Sequence, residues 1–434
     1  MKEPAGEAAT RARLRVLFVN RYYAPDLSAT SQMLTDLAEA LAHAGLDVCI
    51  VCSRQLYENP RAALPSTEVI HGVTVRRVGG ARFGRARLVG RALDYLTFYV
   101  AAGAALLGLA RDCDVIILKT DPPLLSLIGW WVGARRRVPC VNWLQDLFPE
   151  VASRLALSPL PRGLERLLRA LRDRSLTAAR VNVVLGERMR DYLIARGIPA
   201  ARISIGENWA DESTVTPLPA SRSELRARLA LGDRFVIAYS GNLGRAHDVD
   251  TLLAAAESLR DDSATVFLLI GGGANMRELA AGAQARGLEQ LRFLPYQPRA
   301  ALADSLAAGD VHLVTLLPQL EGLIVPSKIY GILAAARPVV FVGDPEGELA
   351  CLIREHQLGA SVACGDGAGL SRALCALRDD PAERARMGAR ARALFEERYT
   401  LGAAVDRWRT LLAAVAVNSE RTVAVRSSAS RQTG

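Results

Sequence analysis

Residues 235–253, FVIAYSGNLGRAHDVDTLL, join an unbroken apolar run to a glycine-containing turn and then to a helical pattern. Apolar runs without polar alternation belong to strands buried on both faces, and such strands sit in parallel sheets covered by helices. The same unit recurs along the chain. In the first half, apolar runs stand at 15–20, 46–52, 73–78, 115–119, 138–144 and 181–186. In the second they stand at 235–241, 265–271, 291–296, 311–317 and 338–343. Between the halves, residues 211–233 are polar and contain Pro217 and Pro219, as a linker does. The expectation is an α/β protein with two parallel-sheet domains, 14–210 and 234–417, the last helix packing back on the first domain. Residues 418–434 are rich in Ser, Arg and Thr without periodicity and read as a disordered tail.

Composition agrees with a soluble globular chain. Of 434 residues, half are hydrophobic and 23% are charged, enough for two ordinary cores. The net charge of +9 points to a polyanionic neighbour, whether lipid, nucleic acid or phosphorylated substrate. Nucleic acid is disfavoured, because the basic residues lack interleaved aromatics and any recognition module. Seven Cys are scattered without metal-ligand spacing, and the C-x-x-C of Cys49 and Cys52 lies inside an apolar run. That pattern reads as a buried strand in a reducing, cytoplasmic setting. Residues 92–110 are nearly apolar and long enough to span a bilayer. Asp94 and the strand that follows favour a packed helix. Arg76, Arg77, Arg82, Arg85, Arg87 and Arg91 precede it, so a membrane-surface element and a core helix behind a solvated loop are both open.

Ligands of open α/β sheets gather at the carboxyl ends of strands, which directs attention to particular loops. After the first strand, Ser28 and Thr30 stand before a helix and are either ligand-facing or simple caps. No G-x-G-x-x-G occurs there, so a dehydrogenase is disfavoured. After 138–144, Asp146 and Glu150 stand where a strand ends, either facing a ligand or serving as a cap and a solvated acid. In the second half, Gly241 and Gly244 permit close backbone approach, Arg245 offers a fork to phosphate, and His247 donates or caps. Gly271, Gly272 and Gly273 form a second glycine turn. The most informative loop begins at Glu321, whose carboxylate suits sugar hydroxyls. In that loop Pro326, Ser327 and Lys328 open an apolar helix whose N-terminus suits phosphate.

These residues resemble the retaining glycosyltransferases of family 4, with the GT-B fold of two Rossmann-like domains facing across a cleft. The matching segments are VLFVNRYYAPDLSATSQMLTDLAEAL (16–41), NWLQDLFPEVA (142–152), ENWAD (207–211), YSGNLGRAHDVDTLL (239–253), IGGGANMREL (270–279), FLPYQP (293–298) and EGLIVPSKIYGILAAARPVV (321–340). Within the family they are most similar to colanic-acid, exopolysaccharide and O-antigen enzymes. The resemblance implies a nucleotide-diphosphate sugar as donor, with no metal or other cofactor. It also implies retention of anomeric configuration and a polyprenyl-diphosphate-linked glycan as acceptor. Glu321 matches the first acid of the family's paired-glutamate motif, and Asp146 stands near a functional cleft residue of many relatives. Gly241, Asn242, Arg245, His247, Gly272, Ser327 and Lys328 are then expected around the donor, and Ser28, Thr30 and Glu150 on the acceptor side.

Three departures accompany the resemblance. The second glutamate, expected near Gly331, is absent. The usual Arg and Lys after the opening glycine of the second domain fall on Asn242 and His247. Ser28–Ser31 replace a glycine-rich first loop. A nucleotide-sugar epimerase of the same fold, or a non-catalytic partner that binds sugar nucleotide or lipid, are the alternatives. A transferase on a lipid-linked acceptor implies a cytoplasmic protein, peripheral at the inner face of an anionic membrane.

Overall fold

The computed structural model describes residues 13–83, 88–157 and 161–431; Arg85 and Arg87 of the basic run lie outside them. Among the described residues, fourteen strands are arranged in two sheets. The first contains β1 (Arg15–Val19), β2 (Asp47–Ser53), β3 (Thr67–Ile70), β4 (Val73–Val78), β5 (Val115–Leu118), β6 (Cys140–Trp143), β7 (Val181–Val184) and β8 (Ile203–Ile205). Its order is β3-β4-β2-β1-β5-β6-β7-β8. The second contains β9 (Phe235–Asn242), β10 (Thr265–Gly272), β11 (Leu291–Leu294), β12 (Val311–Thr315), β13 (Val339–Gly343) and β14 (Gly359–Ala363), ordered β11-β10-β9-β12-β13-β14. Pairing along β4, β2, β1, β5 and β6 and throughout the second sheet is parallel. These are the two Rossmann-like sheets of the GT-B fold.

Every apolar run read from the sequence is a strand, and three strands lacked that signal. β3 alternates exposure and pairs antiparallel with β4 through a hairpin at His71 and Gly72, both at positive φ. As an edge strand it needs no continuous apolar run. β8 has three residues, and β14, GASVA, is another edge strand of mostly small residues.

The chain divides into two compact units, each discontinuous in sequence. One comprises Met1–Trp143, Arg174–Asn182 and Trp408–Gly434; the other comprises Leu144–Asp173 and Val183–Arg407. In the first, α1 (Ala29–His43), α2 (Leu88–Leu109) and α3 (Leu125–Arg136) accompany the strands. Leu17, Val19, Ile116 and Leu118 pack with Phe98, Ala102 and Leu106 of α2 and with Leu125 and Val132 of α3. Cys49 and Cys52 lie in β2 as free thiols, and burial pushes them up to about 11 and 12, which suits inert core thiols. The last helix, Leu401–Arg431, brings Trp408 against Phe18 and Trp143 of the same unit. It continues past Asn418 to Arg431, over residues 419–431 that contain no Pro or Gly to end it, where the sequence reading expected a disordered tail. The second unit has its own core, in which Ile237, Phe267, Leu269, Leu313 and Val340 line the sheet.

Candidate functional site

In the second unit β9 ends in a turn that meets the turn after β10. At Gly271, with φ of 132°, a Cβ would lie 2.1 Å from the Gly241 carbonyl oxygen. At Gly273, with φ of 117°, it would lie 2.4 Å from that of Leu243. The backbones therefore touch where side chains would otherwise stand, and two of the three glycines are required by this approach alone. Leu243 N–H donates to the Gly272 carbonyl at 2.7 Å, and Asn275 donates to the His247 carbonyl at 2.8 Å, locking the two turns together.

Lys328 reaches into this region. Its Nζ donates to the Tyr239 hydroxyl at 2.8 Å and lies 3.4 Å from His247 Nε2. A Cβ at Gly241 would stand 3.4 Å from Lys328 Cε. Tyr239 in turn donates to the Asn242 carbonyl at 2.9 Å, and His247 Nδ1 lies 2.6 Å from the Thr315 carbonyl. A carbonyl only accepts, so Nδ1 carries the proton and Nε2 is left to accept from Lys328. Burial and the adjacent ammonium pull His247 down to about 3, so it is neutral at physiological pH. Burial alone pushes Lys328 down to about 7, with no carboxylate among the described residues to restore it. Two of its three N–H groups are used by these neutral partners. An enclosed ammonium held this way suits an incoming anion.

The sequence expectation for this loop needs adjustment. The helix is Lys328–Ala334, only seven residues, so Pro326 and Ser327 precede it rather than open it. Ser327 is exposed and makes no capping bond. The positive group presented here is therefore the Lys328 side chain, not a helix terminus. Arg245 is exposed on the turn between Gly244 and His247.

Glu321 is half-buried, and its Oε1 accepts from Glu348 N–H at 2.7 Å, at the start of the helix Glu348–His356. The Glu348 carboxylate accepts from Arg188 N–H at 2.8 Å. Burial raises the Glu321 carboxyl above its ordinary value, opposed by the Glu348 N–H. Asp146 is brought to the same loop through its backbone. It forms an isolated antiparallel bridge with Ile324, and Leu147 N–H donates to the Leu323 carbonyl at 3.1 Å. Gln145 and Asn208 pair through both amides, at 2.9 and 3.0 Å, fixing the preceding residue.

Glu150 is neither solvated nor ligand-facing. It is 3% exposed and receives both Arg172 Nη atoms, at 2.7 and 3.0 Å, with the Tyr192 hydroxyl at 2.8 Å. Burial pushes its carboxyl up, and Arg172 and Tyr192 more than reverse this, holding it below the usual range. Glu150 thus anchors the segment that carries Asp146. In the first unit, the Ser28 hydroxyl and N–H both bond the Asp26 carboxylate, so Ser28 occupies the N-cap position of α1 without capping through its side chain. The Thr30 hydroxyl reaches Asp121 at 3.5 Å, and its carbonyl accepts from Lys119 at 2.7 Å.

Tyr239 and Thr315 had no site signal in the sequence, because each lies within an apolar strand run. Their roles depend on the end of one strand meeting the end of another.

Comparison with known proteins agrees with this architecture. Residues 28–209 match the glycosyl transferase 4-like domain, and residues 221–394 match glycosyl transferases group 1. The probable glycosyltransferase WbjE of Pseudomonas aeruginosa is 28% identical over 67% of this chain and 72% of its own. The putative colanic acid biosynthesis glycosyl transferase WcaI of Escherichia coli K12 is 26% identical over 77% and 85%. Among solved structures, sucrose-phosphate synthase from Thermosynechococcus elongatus superposes with a TM-score of 0.73 at 19% identity, over 93% of this chain and all of its own. HepE from Anabaena in complex with UDP gives 0.71 at 16%, over 92% and all. Both parts of the chain match in the same order, and the protein belongs to the GT-B glycosyltransferases, a glycosyl transferase 4-like domain followed by a group 1 domain.

Proposed function

We propose that this glycosyltransferase moves a sugar from a nucleotide-diphosphate sugar to a lipid-linked glycan, with retention and without a metal, in the synthesis of a bacterial surface polysaccharide. The observation that carries the donor assignment is the enclosed Lys328 ammonium, held by Tyr239 and His247 beside two glycine turns. Its support from relatives is that HepE is described with UDP and with UDP-glucose, and WcaI is assigned to colanic acid synthesis. In this reading Lys328 and Arg245 receive the diphosphate and stabilise the charge that grows on it as the anomeric bond breaks. Glu321 accepts from sugar hydroxyls through the carboxylate oxygen not committed to Glu348. Asp146, bridged to Ile324, orients the acceptor hydroxyl. The acceptor's diphosphate and lipid place the enzyme at the cytoplasmic face of an anionic membrane.

Thermal unfolding against a panel of UDP-, GDP-, ADP- and dTDP-sugars tests the donor assignment. One nucleotide sugar is expected to raise the midpoint more than its free nucleotide does, with Lys328→Met losing the response to both. Glu321→Ala is expected to lose only the increment due to the sugar. No response to any nucleotide would overturn the reading and favour a non-catalytic partner.

A further inference from the structure

Helix α2 has two apolar faces, and its own unit covers only one. Phe98, Ala102 and Leu106 recur every four residues and pack against β-strand residues and α3. Opposite them, Val89, Leu93, Leu96 and Val100 follow a four-three-four spacing, which places them in one stripe. They are 73%, 41%, 57% and 68% exposed. Of the most apolar 18-residue window within Val89–Leu109, long and apolar enough to cross a membrane, only 28% is buried. The only acid of α2, Asp94, is on the inner side, 3.7 Å from Arg21, and holds Phe83 N–H at 3.0 Å. Thr97 likewise holds Ala81 N–H at 2.9 Å. Residues 81–83 are thereby tied to the helix, with Arg82 and the exposed Phe83 beside its first turns.

On α3, Ile128 and Trp131 lie 3.7 and 3.9 Å from where a Cβ on Gly103 would stand, so Trp131 borders α2. Trp131 is 43% exposed, and the Arg135 guanidinium stacks on it at 4.9 Å. Arg82, Arg135 and Arg137 are exposed, while the exposed acids Asp112 and Asp114 follow the helix's far end.

We infer that the outer stripe of α2, with Phe83 and Trp131, inserts part-way into an anionic lipid surface, and that the flanking arginines hold the headgroups. An apolar stripe bordered by an aromatic and by cations is the composition of an interfacial helix. Crossing the bilayer is opposed by the inner face, which is part of the protein core. A second copy of this chain is a poorer occupant, because two such faces would bring like-charged arginines together. This inference rests on the membrane location proposed above and is independent of donor chemistry.

The test is flotation of the full chain with vesicles of phosphatidylcholine alone or mixed with phosphatidylglycerol. Wild type is expected to float with the anionic vesicles and to release in high salt. The double variant L96E/V100E is expected to bind about a hundredfold more weakly. R82Q/R135Q should weaken binding to anionic vesicles only. Should L96E/V100E fail to fold, a second measurement decides: brominated phosphatidylglycerol should quench wild-type tryptophan fluorescence, and Trp131→Phe should remove that quenching. Equal flotation of wild type and L96E/V100E, or no quenching, overturns the inference. So does a wild-type dimer in lipid-free buffer that L96E/V100E dissociates, or retention in membranes through alkaline extraction. A nucleotide-sugar shift without vesicle binding would refute this inference alone; vesicle binding without a shift would refute the donor assignment alone.

Discussion

Replacing Lys328 with Met should make the protein more stable and less able to bind nucleotide. Moving an ammonium from its ordinary pKa of 10.5 to about 7 costs about 5 kcal/mol, at about 1.4 kcal/mol for each tenfold change. The sign follows from proton counts. Between about pH 7 and 10.5 the unfolded chain holds this proton and the folded chain does not, so stability rises with pH across that window. The penalty is full below pH 7 and gone above 10.5. Met fills a similar volume without charge, and Tyr239 keeps its bond to the Asn242 carbonyl. Part of the gain is offset by the lost bonds from Nζ to Tyr239 and His247, about 1 kcal/mol each. Lys328→Met should therefore be about 2–4 kcal/mol more stable at pH 6 and equal to or below wild type near pH 10.5. Urea unfolding at a series of pH values measures this. A variant less stable at pH 6, or a gap that does not change with pH, would refute the argument.

Three further outcomes follow from the same geometry. UDP should bind the protonated Lys328, so wild-type affinity falls about fivefold from pH 7 to pH 8, while Lys328→Met binds weakly with a flat profile. A flat titration of wild type by calorimetry would contradict this; His247, neutral already, contributes nothing in that range. Arg172→Met leaves Glu150 buried without its bidentate partner and should cost about 3–5 kcal/mol at pH 7. That loss should shrink as pH falls through the depressed Glu150 value, where wild type itself loses the contribution, and a change below about 1 kcal/mol at neutral pH would exclude the anchoring role. Glu321→Gln should abolish the increment due to the sugar while leaving unfolding free energy at pH 7 unchanged or slightly higher. A loss above about 2 kcal/mol would mark Glu321 as a helix cap first.

The fold was legible because buried parallel strands write themselves as continuous apolar runs, and each such run became a strand. The edge strands β3, β8 and β14 were not legible, since an edge needs neither length nor continuous apolarity. Site residues divide in the same way. Lys328, His247, Gly241 and Glu321 announce themselves by placing polar or glycine residues where strands end. Tyr239 sits inside the apolar run of β9, and nothing local distinguishes its hydroxyl from a core phenol. Glu150 misleads in the other direction. It looks like an acid at a strand end, yet its partners Arg172 and Tyr192 come from helices more than twenty residues further along the chain.

The direction of each protonation shift separates these groups by what they do for the fold. Glu150 is held below its ordinary value, so its charged form is stabilised by partners already present, as in a structural ion pair. Lys328 and Glu321 are shifted against their charged forms, so folding alone gains nothing from keeping them charged. A residue that weakens the fold while enclosed near glycine turns is explained most simply by a ligand that restores its charge. Diphosphate would do so for Lys328, and hydroxyl donors would do so for Glu321. The missing second glutamate fits the same logic. The position near which it was expected is Gly331, inside a seven-residue helix whose neighbours Tyr330 and Ile332 are buried. A Cβ at Gly331 would meet Leu306 at 3.6 Å, so a carboxylate there would stand beside apolar side chains, and in the proposed reading the grip on the donor falls to Glu321 and Lys328.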